Sequence, residues 1–151
     1  MVNGFSVIMP TYNQAYFIRR AVMSLIRQSY PQWELIIVND GSTDATDRII
    51  SGLPQDERIK YLHYPDNRGM GYALNKGLDI ARYGHIAYLP SDDFFYADHL
   101  KDLKEAFESD ERVVLAYSGV NFDDTDAYAP RDNTDSLTMM PGHSLQLAQA
   151  A

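Results

Sequence analysis

The chain has 151 residues, 45% of them hydrophobic and 23% charged, which is enough to build one ordinary globular core. A formal net charge of −8 excludes a protein that grips nucleic acid through a basic face, so no nucleic-acid partner is expected. The absence of cysteine excludes a disulfide scaffold and any thiolate metal site. No stretch approaches the roughly 18 apolar residues of a membrane-spanning helix, and Met1 to Gly4 lacks the features of a signal peptide. The expected location is therefore cytoplasmic, with no membrane association visible in these residues.

In chain order, the apolar run Phe5 to Met9 reads as a strand leading into Pro10-Thr11-Tyr12-Asn13. Phe17, Ile18, Ala21, Val22, Leu25 and Ile26 recur at helical spacing, and Pro31 stops that helix near Tyr30. A second strand, Trp33 to Val38, runs into Asn39-Asp40-Gly41-Ser42. Ser42 or Thr43 is positioned to cap a short helix from about Asp44 to Ile50. The run Ile59 to His63 leads into Asp66-Asn67-Arg68-Gly69, followed by a helix over about 70–81 with Tyr72, Leu74, Leu78 and Ala81 as its expected apolar contacts. His85 to Leu89 leads into Pro90-Ser91-Asp92-Asp93, then a helix over about 97–108 faces Leu100, Leu103, Ala106 and Phe107 inward. Val113 to Tyr117 reads as a fifth strand.

Strands alternating with helices predict an α/β fold, a mostly parallel sheet with helices on both faces. All four polar segments then open at one edge, the carboxyl edge where open α/β sheets bind ligands. Beyond Ser118 the pattern ends. Asp123, Asp124, Asp126, Asp132 and Asp135 make a solvated acidic loop, and the apolar side chains from Leu137 onward have nothing to pack against. They are expected to be poorly ordered or paired with a neighbouring chain. The division expected is 1–118 as a donor-binding half and 119–151 as an incomplete beginning of an acceptor-side region.

Among these segments, Asp92-Asp93 is the strongest chemical signal. Adjacent carboxylates at a strand end can share a diphosphate-bound Mg2+ or Mn2+ and a ribose hydroxyl. An isolated Asp-Asp is more often a turn or cap, and Asp123-Asp124 shows how readily such pairs arise. Position after a buried strand, beside three other polar loops, separates the two cases. Asp40 can accept the imide N–H of uracil, against the plain role of a turn aspartate bonding nearby amides. Tyr12 offers a face on which a base can stack. Arg68, beside Gly69 and Gly71, can meet phosphate at the start of the third helix. Leu74 stands where a dinucleotide fingerprint needs its third glycine, and His63, His85, His99 and His143 have no metal-ligand spacing.

Val7-Ile8-Met9-Pro10-Thr11-Tyr12-Asn13 and Leu35-Ile36-Ile37-Val38-Asn39-Asp40-Gly41-Ser42-Thr43-Asp44 resemble the N-terminal half of a family 2 glycosyltransferase of the GT-A fold. Asn67-Arg68-Gly69, Asn75-Lys76-Gly77 and the DXD-type segment Tyr88-Leu89-Pro90-Ser91-Asp92-Asp93 match that family's next signatures in order. The resemblance covers about Gly4 to Ser118. It implies inverting transfer from a nucleotide-diphosphate sugar, a UDP-sugar by preference, to an unknown acceptor, assisted by Mn2+ or Mg2+. Carried over by position, Pro10, Thr11, Tyr12 and Asp40 hold the base, and Arg68 lies near the base or diphosphate. Asp92 contacts the ribose and Asp93 the metal, with Asp92 beside it. Asn13, Asn67, Gly69 and Asn75 complete the donor-binding set.

Two positions depart from the pattern: Pro90 replaces a further acidic residue, and Leu74 an arginine. The acceptor-activating carboxylate has no recognisable counterpart before Ala151, so the catalytic residue is unknown and the chain is expected to be a truncated domain without transfer activity. The rival reading is a non-catalytic nucleotide-sugar-binding or interaction module. A nucleotidyltransferase would need a glycine- and lysine-rich loop where Pro10-Thr11-Tyr12-Asn13-Gln14 stands. A homo-oligomer is compatible with all of this.

Overall fold

A computed structural model describes residues 4–119 and 146–149. The chain divides into two compact units, Met1–Leu100 and Lys101–Ala151.

The first unit is built on a four-stranded sheet in the order β3-β2-β1-β4. Its strands are β1 (Phe5–Thr11), β2 (Trp33–Asp40), β3 (Ile59–Tyr64) and β4 (His85–Tyr88), and every neighbouring pair is parallel. This is the α/β architecture expected. β1 and β2 run two residues further than their apolar cores. Pro10, Thr11, Asn39 and Asp40 are therefore sheet residues in register, Pro10 opposite Val38 and Thr11 opposite Asn39, and not loop residues. Rigid strands thus carry the first polar groups of the carboxyl edge.

Three helices follow the first three strands: α1 (Ile18–Ile26), α2 (Thr46–Ser51) and α3 (Met70–Leu78). The chain steps outward from β1 to β2 to β3, then returns past both to place β4 beside β1. Right-handed crossovers on such a path put α1 and α2 on one face and α3 on the other. The side chains agree. Asn39 and Tyr61 point to the face where Tyr61 reaches Asp47 of α2, whereas Ile36 and Val38 on the opposite face pack with Ala73 of α3. The buried stripe of α1 is Ile18, Ala21, Val22 and Leu25, as its spacing indicates.

The elements differ from expectation in several details. α1 ends at Ile26, before Pro31 can act, and residues 27–32 cross to the start of β2. α2 begins at Thr46 with Ala45 at its N-cap position, not Ser42 or Thr43, and the Asp44 carboxylate, one residue earlier, takes the Thr46 N–H at 2.9 Å. α3 stops at Leu78 and buries Ala73 and Gly77; Leu78 is 46% exposed. Small residues four apart let this helix lie close on β1, so close that a Cβ on Gly77 would collide with the Ile8 side chain. Gly77→Ala should therefore destabilise the protein by about 1–3 kcal/mol through overpacking, outweighing the roughly 1 kcal/mol of helix propensity gained. Thermal denaturation of the variant checks this.

The amino edge of the sheet contains a buried polar knot. Glu34 is fully buried, its Oε1 accepting from the Ser6 hydroxyl at 2.6 Å and the Arg82 N–H at 2.8 Å. Its Oε2 pairs with Lys60 Nζ at 2.8 Å, and the Ser6 hydroxyl oxygen accepts the Tyr83 N–H. Burial pushes the Glu34 carboxyl up, but bonds from Lys60, Ser6 and Arg82 outweigh it and hold the group below its ordinary range. The knot ties the α3–β4 connection to β1 and β2.

α4 (His99–Ser109) starts at the end of the first unit and lies mainly in the second, where it buries Leu103 and Ala106. Within the second unit β5 (Val113–Tyr117) pairs antiparallel with β6 (Gln146–Gln149). The fifth strand thus belongs to its own two-stranded sheet. Residues 146–149, expected to be disordered or paired with another chain, form a strand on β5 of the same chain; that expectation for 137–145, and the acidic loop 123–135, lie outside the described residues. Among the described residues no helix is long and apolar enough to cross a membrane.

Candidate functional site

The winding reverses between β1 and β4, and crevices for ligands open at the carboxyl ends of strands flanking such a point. β1 ends here in Thr11, and Leu89, just past β4, donates its N–H to Ile8 of β1 at 3.2 Å. Thr11 is 3% exposed, and its Oγ1 is buried without a hydrogen-bond partner among the described residues. Buried hydroxyls are nearly always satisfied, so an orphan at a strand end marks a place where a ligand or water is accommodated.

The loops around this point are stitched to one another. Asn13 adopts a left-handed backbone, φ 54°, which asparagine tolerates better than most residues. Its amide oxygen accepts the Thr43 N–H at 2.8 Å and the Asp44 N–H at 3.2 Å, while its own N–H donates to the Ser42 hydroxyl. The Gln14 N–H reaches Thr46 Oγ1, and the Ala15 N–H reaches Asp44. Burial raises the Asp44 carboxyl, yet bonds from Thr46 and Ala15 leave it below its ordinary range. Asn39 accepts the Ser42 N–H and donates to the Tyr61 hydroxyl, which donates to Asp47. Burial first, and Asp47 second, push the Tyr61 phenol up to about 12.

Asp40 is buried at the end of β2. Its carboxylate accepts the Arg68 N–H at both oxygens, at 3.1 and 3.0 Å, and the Gly69 N–H at 2.7 Å. The amide-bonding role is therefore real, but its amides come from the next loop, 28 and 29 residues away. Gly41, φ 76°, makes this possible: a Cβ there would meet the Asn67 N–H and the Asp66 backbone. Asn67 Oδ1 also accepts from Gly69, and Gly69, φ 91°, opens α3. Arg68 lies over the Tyr72 ring, 5.0 Å from its centroid, with a bond to the Tyr72 hydroxyl.

The acidic pair follows β4. Burial first, then the neighbouring Asp92 charge, pushes the Asp93 carboxyl up, partly opposed by Arg20. Tyr88, at the end of β4, is raised by burial and by the charges of Asp92 and Asp93, and its hydroxyl contacts Met70 Sδ at 3.7 Å. The edge as a whole presents an exposed Tyr12, a guanidinium and two carboxylates, with the buried Thr11 hydroxyl at the end of β1.

Against this geometry, the profile of glycosyl transferase family 2 matches residues 6–149. The chain belongs to that family. A relative in Haemophilus influenzae, an uncharacterized glycosyltransferase, is 32% identical over 148 residues, covering 94% of this chain and 59% of the relative. Glycosyltransferase GlyG of Streptococcus pneumoniae is 30% identical, covering 80% of this chain and 40% of GlyG. The chain thus spans about half the length of these curated relatives. S. aureus TarS 1-349, solved in complex with UDP-GlcNAc, superposes with a TM-score of 0.66 at 31% identity over 71% of this chain and 32% of that one. The Pyrobaculum calidifontis mannosyltransferase PcManGT, solved with GDP-Man and Mn2+, gives a TM-score of 0.63 at 27% identity over 72% of this chain and 33% of that one. The fold is GT-A.

Within that family frame, Asp40, Asn67, Arg68 and Gly69 form one bonded group, and Thr11 and Pro10 sit on the adjacent strand. Asn13 joins the first loop to the second. Asn75 is set apart: it is exposed in the second turn of α3, roughly 9 Å along the axis from Gly69. The sequence reading missed Arg20, Ser24 and Gln28, polar residues four apart beside the buried stripe of α1, and that spacing was the available signal.

Proposed function

We propose that this chain supplies the donor-binding half of an inverting glycosyltransferase that takes a nucleotide-diphosphate sugar, a UDP-sugar by preference. The observation that carries this reading is the orphaned Thr11 hydroxyl at the reversal point, with the acidic pair following the neighbouring strand. Relatives of the same fold bind UDP-GlcNAc and GDP-Man, which supports a nucleotide sugar as donor and leaves its base to this chain's own residues.

A divalent cation fits the residues present. Among the described residues no group of three or more acidic or histidine side chains is assembled for a metal. Asp92 and Asp93 offer hard oxygen donors, and Mg2+ commonly takes one or two carboxylates and completes its shell with phosphate and water. Partial burial and then the Asp92 charge raise Asp93, and positive charge arriving there offsets both. Bound there, the ion would neutralise the diphosphate leaving group. The remaining work belongs to the chain: Tyr12 stacks the base, Arg68 meets phosphate, and the Asp40-tied loop holds Arg68 in place.

Calorimetry of UDP binding with Mn2+ and with chelator tests the reading. Binding should require the metal, and equal affinity in both conditions overturns it. UDP should also bind more tightly than ADP by about tenfold, the equivalent of one hydrogen bond to an imide-bearing base. Competition calorimetry with the two nucleotides measures this.

A further inference from the structure

The segment that bears the acidic pair is held almost residue by residue by one flank of α1 and the residues just past its end. Arg20 Nη2 donates to the Asp92 carbonyl at 2.8 Å. Ser24 Oγ accepts the Phe95 N–H at 3.0 Å. Gln28, nearly buried, donates to the Tyr96 carbonyl at 2.6 Å and accepts the Leu100 N–H at 2.9 Å. Ser29 continues the series, its N–H donating to the Ala97 carbonyl and its hydroxyl to Asp98. Residues 20, 24 and 28 are spaced so that they share one side of the helix line. The guanidinium of Arg20 also lies 5.1 Å from the Phe94 ring centroid and 5.9 Å from that of Phe17. Between β4 and α4 the chain has no regular secondary structure, so its backbone polar groups need partners from elsewhere. α1 provides them.

We propose that Arg20 and Ser24 on one flank of α1, with Gln28 just past its end, are the positioning element of the acidic pair, with Arg20 as the residue that sets where Asp92 and Asp93 present their carboxylates. This rests on the reading of the pair as the metal–diphosphate site. α1 is anchored to the sheet by four buried apolar side chains, so it transfers the rigidity of the core to a segment without a ladder of its own. Arg20 acts at the site end of the series and is itself exposed, so replacing it leaves the core intact.

The test uses the whole chain and the variants Arg20→Met, Arg20→Lys and Ser24→Ala. In metal-free protein, hydrogen exchange should quicken by about tenfold at the Phe95 amide in Ser24→Ala, which loses its own acceptor, and at the Asp93 amide in Arg20→Met, whose bond to the Pro90 carbonyl opens more readily once the Asp92 carbonyl of the same peptide is freed, with β1 amides unchanged. With Mn2+, UDP affinity should fall by about tenfold in Arg20→Met, while affinity for uridine, which has no phosphate, stays at the wild-type level. Arg20→Lys, which keeps a cationic donor, should recover part of the loss. A general loss of structure would move uridine binding and β1 exchange as well, and that result overturns the proposal. Unchanged exchange at both amides overturns it too, whatever the nucleotide results. Wild-type UDP binding without Mn2+ overturns the metal reading instead, and the exchange arm then decides the positioning role alone.

Discussion

Glu34→Ala should cost about 1–3 kcal/mol of folding stability, the loss expected when polar groups buried around a carboxylate are left without their acceptor. The variant removes the acceptor for the Ser6 hydroxyl and the Arg82 N–H, where the α3–β4 connection is tied down, while the partly exposed Lys60 ammonium keeps water and the Ile80 carbonyl. Chemical denaturation of wild type and variant measures the difference. Glu34→Gln should lose less, since it keeps a carbonyl for Ser6 and Arg82. The pH dependence has a definite sign. Glu34 is held below its ordinary value of 4.5 in the folded chain, so its contribution is complete above that value. It is lost as pH falls further, through the lowered folded value. Denaturation midpoints measured from about pH 6 downward should therefore converge for wild type and Glu34→Gln at the acid end.

Asp40→Ala should remove at least about 2 kcal/mol of stability and weaken UDP binding together, because it deletes two charge-assisted bonds to backbone amides worth roughly 1.5–3 kcal/mol each. The Arg68 and Gly69 N–H groups lose their acceptor, and the turn preceding α3 is freed from β2. Arg68 then samples positions away from the carboxyl edge. Asp40→Asn should rescue poorly, since its amide group turns a donor toward N–H groups that are themselves donors. Calorimetry and denaturation on the same samples check both effects. A variant with wild-type stability and lost uridine affinity would instead assign Asp40 to direct contact with the base.

The parallel order of elements was legible in the sequence because apolar runs bounded by Pro, Gly, Asn and Asp have one reading. β1 and β2 have neighbours on both sides and helices on both faces, so nearly every residue in them is buried and the run is continuous. Edge strand β4 was also legible, though Ile86 and Tyr88 on one side of it are exposed. Asp92-Asp93 and Arg68 stood out because charge at a strand end is conspicuous against an apolar run.

What only the tertiary structure decided is what each polar side chain bonds to. Asp40 and Asn13 look equally free in the sequence, yet one holds the loop that starts α3 and the other joins the first two loops. Their partners lie 29 and 30 residues away, a distance across which local propensity carries no information. The same holds for Gly77, whose need to lack a side chain shows only once Ile8 is seen beneath it, and for Arg20, Ser24 and Gln28. By itself the sequence determined which groups reach the carboxyl edge, because strand direction follows from the order of elements. Which of them point outward and which are used up holding the edge together depended on contacts between distant segments, and those exist only once the sheet has formed.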